Sequence, residues 1–206
     1  ALSTAIQVGK TNAEFRYLEE RLTNENTAIA IRKGEDKLLD DVNAIISDMR
    51  NEGLFEDMKR RWFKDDLGPY DEPDIAVPTT GEPLRIGVAA TREPFSFVDK
   101  DGRVTGHDGE LARHLAHRLN RPIEFHDMKF MALIPALASG KIDMIVTGMT
   151  ATDERRKSVN FTQSYFANAQ VLLTRRPGAA ASGPVAGGGL ELRSLDDLAD
   201  KRLGVM

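Results

Sequence analysis

The chain has 206 residues, 28 of them basic and 32 acidic, for a formal net charge of −4. That length holds one large or two small domains, and the lack of any basic arm or stripe argues against nucleic acid as a partner. No apolar run approaches the roughly 20 residues of a membrane helix, so no direct membrane insertion is expected. With no cysteine, disulfides, thiolate metal sites and a thiol nucleophile are excluded within it.

Residues 1–66 read as helical with one strand. A helix is expected near Glu14–Leu22, and Thr27-Ala28-Ile29-Ala30-Ile31 is a short strand candidate. Leu38, Leu39, Val42, Ile45, Ile46 and Met49 recur at the spacing of one helical face, and Gly53 ends that helix. Leu54, Phe55, Met58, Trp62 and Phe63 form the apolar side of a second helix. Residues 67–83 are a linker, punctuated by Gly68-Pro69, Pro73, Pro78 and Gly81-Glu82-Pro83. Strands and helices then alternate over residues 84–176. Leu84–Ala89 is a strand, and Phe95–Asp99, Asp101-Gly102 and Val104 make a hairpin. A helix is expected from about Asp108 to Asn120, a strand at Ile123–His126, and a helix at Phe130–Ala138 stopped by Gly140. Strands Ile142–Val146 and Asn168–Thr174 complete the alternation. This order predicts an α/β fold with a mostly parallel sheet flanked by helices, whose ligands bind beyond the carboxyl ends of the strands. Pro177–Gly189 are almost all Pro, Gly, Ala and Ser, so residues 177–193 read as a flexible linker. Residues 194–206 read as a capped helical turn and the beginning of a strand. The chain opens on Ala1 and stops in the apolar run Leu203-Gly204-Val205-Met206, the pattern expected of a piece taken from a longer protein.

The most informative stretch is Thr147-Gly148-Met149-Thr150-Ala151-Thr152-Asp153-Glu154-Arg155, which comes after an apolar strand and opens a short helix. First-turn N–H groups of a helix lack intrahelical partners and sit at the positive end of its dipole, which favours an anion. Thr150 and Thr152 offer hydroxyls, Gly148 admits a ligand close to the backbone, and Arg155 offers a bidentate fork for a carboxylate. A threonine-capped helix with a surface arginine is the plain alternative. Met149 lies within the same loop and reads as a packing residue close to any ligand.

From Leu84 to Thr174 the chain resembles the family 3 extracellular solute-binding proteins, the polar amino-acid receptors of ABC importers. The resemblance is carried by Leu84-Arg85-Ile86-Gly87-Val88, Pro94-Phe95-Ser96-Phe97, Asp101–Ala112, Leu133–Asp143, Gly148–Arg155 and Asn160–Phe166. It implies a periplasmic-binding-protein-like (type II) fold of two lobes with an amino acid held between them, of which residues 84–176 are the first. It implies that Arg155 takes the ligand's α-carboxylate with the Thr150 hydroxyl, that Gly148 offers its carbonyl to the α-ammonium, and that Phe130 packs on the aliphatic part. The family often places an aspartate at the position of Ala89 and an aromatic residue at that of Arg92. Here Arg92 either pairs with an acidic group on the ligand or points to solvent beside Glu93.

Residues 1–66 resemble the C-terminal end of the same family, and residues 194–206 the start of its second lobe. The order tail, first lobe, cut implies a fragment of a protein with tandem receptor domains. Thr27–Ile31 is then expected to join the sheet of residues 84–174 as a permuted lobe. The resemblance thus implies a non-catalytic periplasmic or extracellular binding module, with a small amino acid and an ABC permease or membrane receptor as partners. A sensor domain is the alternative function. A cyclohexadienyl dehydratase-like enzyme on this fold would need an acid–base carboxylate that the sequence does not single out. No cofactor is implied. His114 and His117 stand three apart on a helix without a third ligand, so no metal site is expected.

Overall fold

The computed structural model describes residues 5, 8, 9, 12–63, 70–176, 194 and 196–198. The expected linker 177–193 and the final strand lie outside the described residues. Leu84–Val88 (β2) has four of its five residues buried, as a strand covered on both faces requires. It pairs in parallel with Ile123–Asp127 (β6) over its whole length, Leu84 opposite Ile123 and Val88 opposite Asp127. On its other side it pairs in parallel with Met144–Ile145 (β7), Ile86 opposite Met144. The sheet continues through Phe15–Arg32 (β1), antiparallel to β7 with Ala30 opposite Ile145, and ends on Val159–Arg175 (β8). Ser164 Oγ donates to Thr27 O at 3.0 Å and Ile29 N to Thr162 Oγ1 at 3.1 Å, so β8 runs opposite to β1. The fold is α/β, with a parallel centre and the upstream strand built into the same sheet.

Strand alternation sorts the apolar residues into two cores. Ile29, Ile31, Ile86, Met144 and Val146 face the helices Asp36–Asn51 (α1), Leu54–Trp62 (α2) and His107–Arg118 (α3). Ala28, Ala30 and Ile145 face Leu133 and Leu137 of the helix Phe130–Ala138 (α4). A separate three-stranded antiparallel sheet is made of Thr91–Arg92 (β3), Ser96–Val98 (β4) and Val104–Thr105 (β5).

One expectation is corrected. Glu14–Leu22 is not a helix: Phe15–Leu22 form the first part of β1. The helix-forming side chains there are outweighed by a partner strand: Gln170 N donates to Thr23 Oγ1 at 3.3 Å, and Arg176 N to Glu14 O at 2.6 Å. The short helix expected after Thr152 is present as a single turn, Asp153–Arg156 (α5). Elsewhere Ser194 N donates to Asp197 Oδ2 at 3.0 Å, half of a capping box over the 3₁₀ turn Asp196–Leu198.

The chain forms two compact units. Asn26–Ala167 contains both cores and all the helices α1 to α5. The other, Ala1–Glu25 with Asn168–Met206, is built among its described residues on the outer stretches of β1 and β8, where Gln170 Nε2 also donates to Glu25 Oε1 at 2.8 Å.

Within the larger unit a buried ion pair ties α2 to α3. Arg61 donates to both Glu110 carboxylate oxygens, at 2.7 and 2.6 Å, and Trp62 Nε1 donates to Oε2 at 2.6 Å. Burial pushes the Glu110 carboxyl up, but the Arg61 fork, His114 and Trp62 outweigh it and hold the group down at about 2. Its folded value lies below its unfolded one, so its contribution is complete above the ordinary 4.5 and is lost as pH falls toward 2. Urea titrations of the chain between about pH 6 and pH 2 should show a loss on the order of 3 kcal/mol across that window, and a Glu110→Gln variant should lack it. Arg61→Ala strands the carboxylate in the core and should lower the unfolding free energy by about 3–5 kcal/mol in the same assay at neutral pH.

Candidate functional site

The parallel strands β2 and β7 end side by side, which brings the loops after Val88 and Ile145 together. Thr147 Oγ1 accepts from Ala89 N at 2.9 Å and fastens one loop to the other. Ala90 N donates to Asp127 Oδ1 at 2.9 Å, which holds the first loop to the end of β6. Pro94 and Phe95 carbonyls accept the first-turn amides of His107 and Asp108, at 2.9 and 2.8 Å. That close approach depends on Gly106 (φ 105°), where a Cβ would lie 2.5 Å from Phe95 O.

A cavity of about 220 Å³ opens between these loops, lined by Ala89, Thr91, Arg92, Phe95, Ser96, Phe130 and Thr147. The Arg92 guanidinium does not turn to solvent beside Glu93. Its Cζ stands 4.7 Å from the Phe95 ring centroid, while Glu93 accepts from Tyr70 Oη at 2.8 Å. Arg92 can take this position because residue 148 is glycine. A Cβ there would lie 2.5 Å from Arg92 Nη2, and its φ of +61° suits a residue without a side chain. Ser96 Oγ is fully buried with no hydrogen-bond partner among the described residues.

Beneath Gly148 lies a buried polar cluster that periodicity and motif order do not reveal. Gly148 N donates to Tyr165 Oη at 3.1 Å, and Tyr165 Oη donates to Asp108 Oδ1 at 3.0 Å. His107 Nδ1 stands 3.1 Å from the same oxygen, and Asp108 Oδ2 has no hydrogen-bond partner among the described residues. Burial first, and the Asp108 charge second, push the Tyr165 phenol well above its ordinary value, so it stays a donor. The one signal for this cluster in the sequence is the run of polar residues opening α3, which is buried from His107 to Glu110.

Arg155 lies half-buried at the end of α5. Its Nη1 donates to Thr150 O at 2.9 Å and its Cζ stands 5.1 Å from the Phe130 ring centroid. Nε and Nη2 have no hydrogen-bond partner among the described residues. The amide of Arg155 is already used, donating to the Thr152 cap at 3.3 Å, and a single turn has little dipole of its own. An anion here would therefore be held mainly by the guanidinium. Thr150 is half-buried and bridges to Thr27 in the sheet. Met149 is fully buried in the second core, and its carbonyl accepts from Ala28 N at 3.0 Å. Its side chain belongs to the packing beneath the loop, because residues here alternate in and out as they leave β7. Phe130 is thus shared: it lines the cavity that holds Arg92 and carries Arg155 on its ring.

A larger cavity of about 900 Å³ lies elsewhere in the same unit, lined in part by Trp62, Glu72, Phe97 and Arg113. Its charges are largely spent on one another, Glu72 with Arg113 and Asp99 with Arg103. Among the described residues no three His, Asp or Glu side chains group to hold a metal, and no helix is long and apolar enough to cross a membrane.

Comparison with known proteins gives a coherent set of relatives. The model of the bacterial extracellular solute-binding proteins, family 3, matches residues 84–185. An L-arginine-binding protein of Pseudomonas aeruginosa is 34% identical over 142 residues, covering 68% of this chain and 51% of that one. A probable histidine-binding protein of Campylobacter jejuni is 37% identical over 122 residues, 59% of this chain and 43% of that one. Among solved structures, an ancestral arginine-binding protein bound to glutamine is 46% identical over 42% of this chain and 39% of its own, with a TM-score of 0.41. The chain spans about half the length of the curated relatives it matches. On the family match and these identities, the chain belongs, through residues 84–185, to the bacterial extracellular solute-binding proteins of family 3.

Proposed function

We propose that the chain is part of a receptor that captures an amino acid outside the cytoplasm for an ABC importer, as a binding module rather than an enzyme. The observation that carries this reading is Arg155, propped over the Phe130 ring with two guanidinium nitrogens unspent, beside a cavity at the carboxyl ends of parallel strands. A half-buried guanidinium fixed by one bond and one ring is pre-organised for a carboxylate. The names of the relatives, arginine- and histidine-binding proteins, support an amino acid as the ligand.

In this reading Arg155 and Thr150 grip the α-carboxylate, the Gly148 carbonyl meets the α-ammonium, and Phe130 covers the aliphatic stem. Arg92 faces the side chain, and Met149 supports the loop from below. Residues 1–66 are the tail of a preceding receptor domain, joined by 67–83 to the first lobe at 84–176. Residues 194–206 then open a second lobe after the linker 177–193. In a whole receptor the ligand would bridge two lobes and shift the population toward a closed form, which a permease can recognise.

Amino-acid titrations of the chain followed by two-dimensional NMR read even millimolar binding. Arg155→Ala should weaken binding of every amino acid that binds the parent chain by roughly 10- to 100-fold, the loss of charged hydrogen bonds, with the amide spectrum otherwise intact. Arg155→Lys should recover only part of it, since a point charge cannot form the two-pronged contact. Unchanged affinity in Arg155→Ala would remove the grip on which the assignment stands.

A further inference from the structure

We infer that the cavity beside Phe130 takes an anionic side chain, so that the ligand is a dicarboxylic amino acid rather than a basic one; this rests on the reading of Arg155 as the α-carboxylate grip. The cavity lining contains one charge, the guanidinium of Arg92, and no acid. That guanidinium makes no hydrogen bond or ion pair with any described residue and packs on the face of Phe95 beside Gly148. Ser96 Oγ, fully buried and without a hydrogen-bond partner among the described residues, adds a hydroxyl donor to the same wall. A cation on a ring and an unsatisfied hydroxyl around a cavity of about 220 Å³ match a carboxylate in charge and in hydrogen-bond sense.

The surrounding charges agree. Glu93, the acid next to Arg92 in sequence, is exposed and engaged by Tyr70 Oη. Asp108 is fully buried behind Gly148, with Oδ1 held by Tyr165 and His107 and Oδ2 3.6 Å from where a Cβ of residue 148 would stand. It does not line the cavity. Its Oδ2 and Arg92 Nη2 both border the gap left by the missing side chain at 148, and no ion pair joins the two. Position 89, also in the lining, is an alanine and offers no counter-charge to a basic ligand. A ligand guanidinium or ammonium entering this cavity would meet Arg92 in a partly desolvated space with no acid in the lining to neutralise it, and repulsion of that kind sets specificity as firmly as attraction does.

The test is a set of NMR titrations of the full 206-residue chain with L-glutamate, L-aspartate, L-glutamine and L-arginine. Glutamate or aspartate should bind at least about tenfold tighter than glutamine, the difference expected for charge-assisted over neutral hydrogen bonds, and arginine should bind weakest. Arg92→Gln should erase the preference for glutamate over glutamine, and Gly148→Ala, which displaces Arg92, should reduce it. Arginine binding as well as or better than glutamate, or a preference that survives Arg92→Gln, overturns the inference. If such binding still depends on Arg155, the receptor reading stands while the acidic ligand falls. If none of the four amino acids perturbs the spectrum, both fall together.

Discussion

A carboxylate with no solvent of its own, Glu110, accepts three hydrogen bonds from Arg61 and Trp62, and the architecture of the larger unit depends on that contact. Glu110 sits in the first turn of α3, while its donors end α2, nearly fifty residues upstream. An unpaired carboxylate in this core would cost several kcal/mol, so the helix α3 is stable in place only with α2 against it. The same seating brings Met58 and Trp62 into the core with Leu111 and Leu115 and draws β1 in behind them. Once α3 is fixed, its first-turn amides fix Pro94 and Phe95, and these fix the loop that presents Arg92.

The site is built on this chain of supports. Parallel pairing of β2 with β7 sets the two loops edge to edge, and Thr147 fastens them. Phe130, at the start of α4, then offers its ring to Arg155 and its edge to the cavity. The two guanidinium groups are both held by aromatic rings and neither is consumed by a carboxylate. Arginines in such positions keep most of their hydrogen-bonding capacity for something that arrives from outside.

Much of this was legible in the sequence, because apolar periodicity is a local signal. The stripe from Leu38 to Met49 marked α1, and the short apolar run at Leu84–Val88 marked a central strand. The loop that ends β7 and leads into the turn carrying Arg155 was readable from the order of small, hydroxyl and basic residues at a strand end. Features that depended on distant partners were not. Residues 14–22 have good helix formers in Leu18, Glu19, Glu20 and Arg21, and only a ladder to the far end of β8 makes them extended. The direction of Arg92 depends on the absence of a side chain at position 148 and on the Phe95 ring, and no pattern within the hairpin reveals either. The role of Asp108 was hidden because a helix start rich in His, Asp and Glu looks solvated until Tyr165 is found against it.

The placement of β1 has a consequence for where this fold can be cut. The matched family segment begins at β2, yet β7 completes its backbone pairing through Ala30 and Ile31, residues from well before that segment. Trimmed to the homologous boundaries, the sheet would end on β7 with a naked row of amides and carbonyls, and the helical face of β2 would lose α1 and α2. An open, apolar strand border is an invitation to pair with the next molecule. The compact unit that holds both cores starts at Asn26, so a cut at the boundary of the matched family segment would divide it.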